Sequence, residues 1–159
     1  MGDLVKVGIA DFDIAVAPQK IRTSGLGSCV GVTLYDPEIR VCGLAHVMLP
    51  SSLIAREEES KGKFANTAIP SLIEKMVQQG VKVRRIEAKL AGGAEMFKTT
   101  SEQMRIGARN VEACKALLNK LNIPIVAEDT GGRCGRTIEL DSETGILTIR
   151  IVNQEVKEV

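Results

Sequence analysis

Aromatic rings are scarce in this chain: 159 residues include no tryptophan, one tyrosine and three phenylalanines. Base-stacking platforms for single-stranded nucleic acid are therefore missing. Charge of one sign is missing too, since 21 basic side chains stand against 20 acidic ones and leave a net charge of +1. Without a positive field to hold phosphates, nucleic acid is excluded as a partner class. No window reaches 18 consecutive apolar residues, so no membrane insertion is expected. The start, Met1-Gly2-Asp3-Leu4-Val5-Lys6, lacks the cationic and apolar regions of a signal peptide, which points to the cytoplasm. Four cysteines (Cys29, Cys42, Cys114, Cys134) form no CxxC pair, and a reducing compartment keeps them as thiols. There is a single histidine, His46.

What remains is an ordinary globular composition, 44% hydrophobic and 26% charged, and a length that suits one domain spanning 1–159. Residues 4–18 alternate loosely and predict two short strands ending at Pro18. The run Thr23-Ser24-Gly25-Leu26-Gly27-Ser28-Cys29 predicts a small-residue loop. Val30, Val32 and Leu34 alternate with Gly31, Thr33 and Tyr35, giving a strand that turns at Asp36-Pro37, and Val41 to Leu49 returns as its partner. Residues 56–63 are charged and aperiodic, the pattern of a loop. Ile69, Leu72, Ile73, Met76 and Val77 fall at helical spacing and predict a helix near 64–79, with Pro70 in its first turn and Gly80 at its end. A strand near 85–91, a helix near 104–121, and strands near 124–128, 136–140 and 146–152 follow. The class is α+β, with mainly antiparallel and some mixed pairing, and two helices packed outside.

The chemistry converges on two residues. With Asp36-Pro37-Glu38-Ile39 as the hairpin loop, Tyr35 faces Arg40, and counting back sets Cys29 against His46 on one face. A two-residue shift would keep them there; a one-residue shift would separate them. A cysteine beside an imidazole can form a thiolate–imidazolium pair, and the thiolate is the nucleophile. Gly25, Gly27 and Ser28 allow close backbone approach and can aim N–H groups at an oxyanion. Thr23 can orient the imidazole as a third member. The bland readings are a core histidine and a locally bonded threonine. A zinc site from Cys29, Cys42, His46 and Cys134 is disfavoured by their spacing. Cys42 and Cys114 suit apolar core positions, and Cys134 among glycines suits an exposed one. Neither Gly25-x-Gly27 nor Gly92-Gly93 completes a nucleotide-binding motif, and each reads as a tight turn lining a cleft. Arg109-Asn110 reads as a solvated helix patch.

Five ordered motifs carry a resemblance: Gly25-Leu26-Gly27-Ser28-Cys29-Val30; Gly43-Leu44-Ala45-His46 running to Leu49-Pro50; Gly92-Gly93-Ala94-x-Met96-Phe97; Ile106-Gly107-x-Arg109-Asn110; and Gly131-Gly132-x-x-Gly135-Arg136. Together they resemble the CheD family of bacterial chemoreceptor glutamine deamidases over nearly the whole chain. The resemblance implies a β-sandwich with flanking helices, related to the catalytic domain of cytotoxic necrotizing factor toxins. It implies hydrolysis of selected glutamines on chemoreceptor helices to glutamate, with some cleavage of glutamyl methyl esters. It puts the nucleophile at Cys29, the histidine at His46 and the third residue at Thr23, with no metal or organic cofactor. It also implies a regulatory partner, the chemotaxis phosphatase CheC, on the receptor-binding face. Residues 51–63, the Gly92-Gly93 turn and Arg109-Asn110 are expected at the rim of that face. Glu95 receives no role from the resemblance.

Overall fold

The computed structural model describes residues 3–48, 63–96, 105–152 and 154–159. Ten strands and two longer helices are found among them, in chain order β1 (Leu4–Val7), β2 (Phe12–Val16), β3 (Lys20–Leu26), β4 (Val30–Asp36), β5 (Val41–Val47), α1 (Ala65–Val77), β6 (Glu87–Gly92), α2 (Ile106–Lys120), β7 (Ile125–Thr130), β8 (Arg136–Asp141), β9 (Leu147–Ile151) and β10 (Lys157–Glu158). The strands form two mixed five-stranded sheets, ordered β1-β3-β8-β9-β10 and β2-β5-β4-β6-β7. This is the α+β sandwich with two helices that the sequence and the resemblance led us to expect.

The layering follows from the period of two in β4 and β5, whose residues are all buried. Val30, Val32, Leu34, Val41, Ala45 and Val47 pack with Leu72, Met76, Cys114 and Leu118 from the helices. The alternate positions Tyr35, Cys42 and Leu44 pack with Ile21, Ile138, Leu140 and Leu147 of the other sheet. The central hairpin is therefore covered by helices on one face and by a second sheet on the other, which is why both of its faces read as apolar or small. Tyr35 reinforces the contact between sheets by donating its hydroxyl to the Ser142 carbonyl at 2.8 Å.

The hairpin register differs from the count made on sequence. Tyr35 faces Cys42, Asp36 faces Val41, and His46 faces Gly31, a shift of two residues. Asp36 ends the strand because its carboxylate accepts from the Glu38 and Lys82 N–H groups at 3.1 and 3.2 Å and pairs with Arg85 at 2.9 Å. The turn is thereby displaced to residues 37–40, where Arg40 adopts φ 55° and donates its N–H to the Asp36 carbonyl at 2.9 Å.

A second difference concerns Thr23, Ser24, Gly25 and Leu26, which lie within β3 rather than in a loop. β3 is held from both sides, by β1 in parallel and by β8 antiparallel, with an irregularity between Thr23 and Leu26. Small residues read as a loop locally, but β1 and β8 pair with Thr23, and β8 pairs again with Leu26 beyond the bulge.

Candidate active site

His46 belongs to β5 and projects from the face that meets the other sheet; its side chain is fully buried. Across the gap, Thr23 of β3 brings its hydroxyl oxygen within 2.7 Å of His46 Nδ1. That hydroxyl donates its only hydrogen to the Val7 carbonyl at 2.8 Å. Nδ1 must therefore be the protonated ring nitrogen, donating to Thr23, and Nε2 carries the lone pair. Nε2 is buried and has no partner among the described residues. Such a tautomer is what a general base requires, with its lone pair directed away from the group that orients it.

Cys29 lies just before β4, half-buried, and packs at the edge of the same inter-sheet cluster. The two-residue shift therefore leaves it and His46 on one face of the hairpin. Burial acts against the expected ionic pair. Burial pushes the Cys29 thiol up, outweighing the backbone N–H that favours its thiolate. Burial also lowers the His46 pKa to about 4. Burial thus favours the thiol and the neutral imidazole over the charged pair at neutral pH.

The loop before Cys29 is held on several sides. Gly27 donates its N–H to the Gly25 carbonyl at 3.0 Å, making a tight turn. Ala94 N–H reaches the Gly27 carbonyl and Gly93 N–H reaches the Cys29 carbonyl, each at 2.8 Å. Gly92 has φ 108°, and a Cβ there would collide with the Cys29 carbonyl oxygen. A glycine is needed at this close approach. Met96, 46% exposed, lies over Gly27, whose Cβ would stand 3.1 Å from Met96 Cγ.

Two expectations about the rim change. Gly92 and Gly93 are buried beneath the Cys29 loop rather than lining a cleft. Arg109 is exposed, but Asn110 is fully buried and donates to the Ser28 and Met48 carbonyls, both at 2.9 Å. Residues 51–62, Leu49, Pro50 and Phe97 lie outside the described residues. Glu95 acquires a part that the motifs did not suggest: its Oε1 accepts the Ala108 N–H at 3.0 Å in the first turn of α2, the place where a carboxylate suits the helix dipole.

Cys42 and Cys114 are fully buried, burial pushes both thiols up to about 12, and Cys134 is exposed. Among the described residues no group of three or more His, Cys, Asp or Glu is placed to hold a metal ion.

A measurable consequence follows from the buried imidazole. His46 titrates at 6.5 when unfolded and about 4 when folded, so its neutral form is the one the fold favours. Above pH 6.5 it contributes nothing to the pH dependence. As pH falls from 6.5 to 4, proton uptake by the unfolded chain removes stability, up to about 3 kcal/mol from this group. Urea unfolding at stepped pH should therefore show a steeper loss in the wild type than in His46→Gln over that interval. Parallel curves would contradict the buried neutral ring.

Two mixed sheets under a pair of helices define an α+β sandwich, and solved structures share it. The crystal structure of Bacillus licheniformis protein YfiH aligns with TM-score 0.51 and 17% identity, covering 77% of this chain and 51% of that one. Neisseria meningitidis protein NMB0706 aligns with TM-score 0.53 and 10% identity over 82% and 64%. This likeness concerns the fold alone. Sequence relatives are far nearer. The family model described as CheD chemotactic sensory transduction matches residues 48–151. A protein of Halalkalibacterium halodurans named chemoreceptor glutamine deamidase CheD is 51% identical over the whole of both chains. Its Bacillus subtilis namesake is 50% identical over 98% of this chain and 96% of its own. The chain belongs to the CheD family.

Proposed function

We propose that this chain is a cysteine hydrolase that converts glutamine side chains of chemotaxis receptors to glutamate in the cytoplasm. The observation that carries this reading is full-length kinship, at about half identity, with proteins named chemoreceptor glutamine deamidase. The arrangement of Thr23, His46 and Cys29 supports a mechanism for it.

Cys29 sulfur attacks the carboxamide carbon while its proton passes to His46 Nε2, and the carbonyl π electrons move onto oxygen. Thr23 keeps Nδ1–H engaged throughout, so the imidazolium is oriented as it forms. Backbone N–H groups near Ser28 and Cys29 stabilise the oxyanion. Collapse of the tetrahedral intermediate breaks the C–N bond, and Nε2–H protonates the departing nitrogen, which leaves as ammonia. Water, deprotonated by His46, then attacks the thioester; the C–S bond breaks, and the thiol regains its proton as the glutamate carboxylate departs. Each turnover consumes one water and needs no cofactor. A glutamyl methyl ester passes through the same acyl-enzyme with methanol as leaving group.

The receptor is read as a folded helix by the surface around Cys29, and the phosphatase CheC competes for that surface. Support comes from the exposed apolar side chains Met96 and Ile106, 46% and 40% accessible, near the nucleophile loop and at the start of α2. A net charge of +1 offers little steering, so shape should matter more than salt. The test is mass spectrometry of an intact receptor cytoplasmic fragment and of short unfolded glutamine peptides, with and without CheC, at two ionic strengths. Faster deamidation of the folded fragment, inhibited by CheC and little changed by salt, is expected. Equal rates on both substrates, or no inhibition at saturating CheC, would refute helix reading and competition; no deamidation of either would refute the activity.

A further inference from the structure

The three consecutive carbonyls around the nucleophile are all held. Gly27 accepts from Ala94 N–H and Cys29 accepts from Gly93 N–H, both backbone donors. The middle one, Ser28, accepts from a side chain, Asn110 Nδ2, at 2.9 Å. The same amide nitrogen spends its second hydrogen on the Met48 carbonyl, also at 2.9 Å, two residues beyond His46. Asn110 is fully buried, and its Oδ1 has no partner among the described residues. A buried amide with an unsatisfied oxygen is a poor choice for packing, and an apolar side chain of similar size would avoid that desolvation. What asparagine adds is two N–H donors on one planar nitrogen.

Peptide planarity gives those donors a consequence. In the trans Ser28–Cys29 peptide, C=O and N–H point to opposite sides. With the Ser28 carbonyl drawn toward α2, the Cys29 N–H is turned away from the helix, on the same residue as the sulfur. An N–H beside the attacking sulfur is placed for the oxygen of the carbon that sulfur attacks.

We propose that Asn110 is a positioning residue for amide hydrolysis: by gripping the Ser28 and Met48 carbonyls together, it aims the Cys29 N–H at the oxyanion and ties the nucleophile loop to the end of the strand carrying His46. This rests on the hydrolase reading above. The role concerns the transition state, where charge develops on oxygen, more than the thiol itself.

Two reactions of Cys29 separate the alternatives. Deamidation passes through an oxyanion; alkylation by iodoacetamide displaces iodide at carbon and does not. Asn110→Asp, which keeps the volume but loses the paired donors, and Asn110→Ala should each lower kcat roughly 100-fold with KM within about twofold. Alkylation of Cys29, followed by mass spectrometry at that residue, should stay within about threefold of wild type. Asn110→Ser, with one hydroxyl donor, should recover part of the lost kcat. Thermal melts identify any variant that has lost its fold, and the folded variants are compared. An unchanged kcat would overturn the proposal, as would equal losses in deamidation and alkylation, because these indicate a purely structural role. Cys29→Ala separates the two levels: if it is inactive while Asn110→Asp is fully active, only the Asn110 assignment falls, whereas an active Cys29→Ala removes the hydrolase reading beneath it.

Discussion

Cys29→Ala is expected to abolish the ~1 Da mass gain that accompanies each exchange of NH₂ for OH on a receptor glutamine, while leaving the thermal melt close to wild type. The loss should be complete because no other thiol can substitute: Cys42 and Cys114 are fully buried on strand and helix interiors, and Cys134 lies in a different segment. The fold should survive because Cys29 is only half-buried and lies just before β4 rather than within it. The same protein series reports how the thiol is activated. Since burial raises the Cys29 pKa and lowers that of His46, wild-type alkylation should rise at higher pH than for a free thiol, with no early reactive fraction near neutrality. An acidic reactive fraction that disappears in His46→Ala would instead establish a resting ion pair. Residual deamidation by Cys29→Ala, free of contaminating enzyme, would end the nucleophile assignment.

The largest expected stability effect lies at the other end of the same hairpin. Asp36→Ala should cost about 3 kcal/mol, because it removes the fully buried member of an ion pair, leaves Arg85 only the exposed Glu38, and leaves the Glu38 and Lys82 N–H groups without their acceptor. The Asp36 side chain has no exposure, and Arg85 is 20% exposed. Burial by itself would raise the Asp36 pKa, but the Arg85 guanidinium and the Lys82 and Glu38 N–H groups outweigh it and hold the carboxyl below its usual range. A depressed pKa means that the contribution is present at neutral pH and is lost as pH falls through the folded value, below the ordinary carboxylate range. Denaturant unfolding at pH 7 should show the full deficit, and the gap between Asp36→Ala and wild type should narrow toward pH 3. A deficit below about 1 kcal/mol at pH 7 would mean that the pair barely offsets its desolvation.

These residues also explain what could be read from sequence. The alternation of Val30, Val32 and Leu34, the helical spacing of Leu72 and Met76, and the breaks at Pro18 and Gly80 are local signals, and the elements built on them are present. Register was not local. It depends on Asp36 meeting Arg85, 49 residues away, so counting outward from the turn erred by two. The placement of Thr23 depended on pairing with β8, more than a hundred residues later, which nothing in Thr23-Ser24-Gly25 announces. Asn110 looked solvated because polar side chains on helices usually are; only the two carbonyls brought to it from residues 28 and 48 make its burial intelligible. The burial that opposes the expected ionisation of Cys29 and His46 is likewise a property of the packed sheets. The five motifs identified the family because glycines, a cysteine and a histidine in fixed order record those long-range requirements without revealing their geometry.

One hydrogen bond carries a mechanical meaning beyond chemistry. Thr23 and His46 come from opposite sheets, so the 2.7 Å hydrogen bond between their side chains spans the two layers. The imidazole is fastened not to its own strand alone but to the facing layer, and its aim depends on how closely the two layers are pressed together. A partner that pried the sheets apart at this edge by an ångström would leave every residue of the cleft in place along the chain and still release the imidazole from its hydrogen bond. The enzyme would then be controlled like a clamp, through the spacing of its jaws.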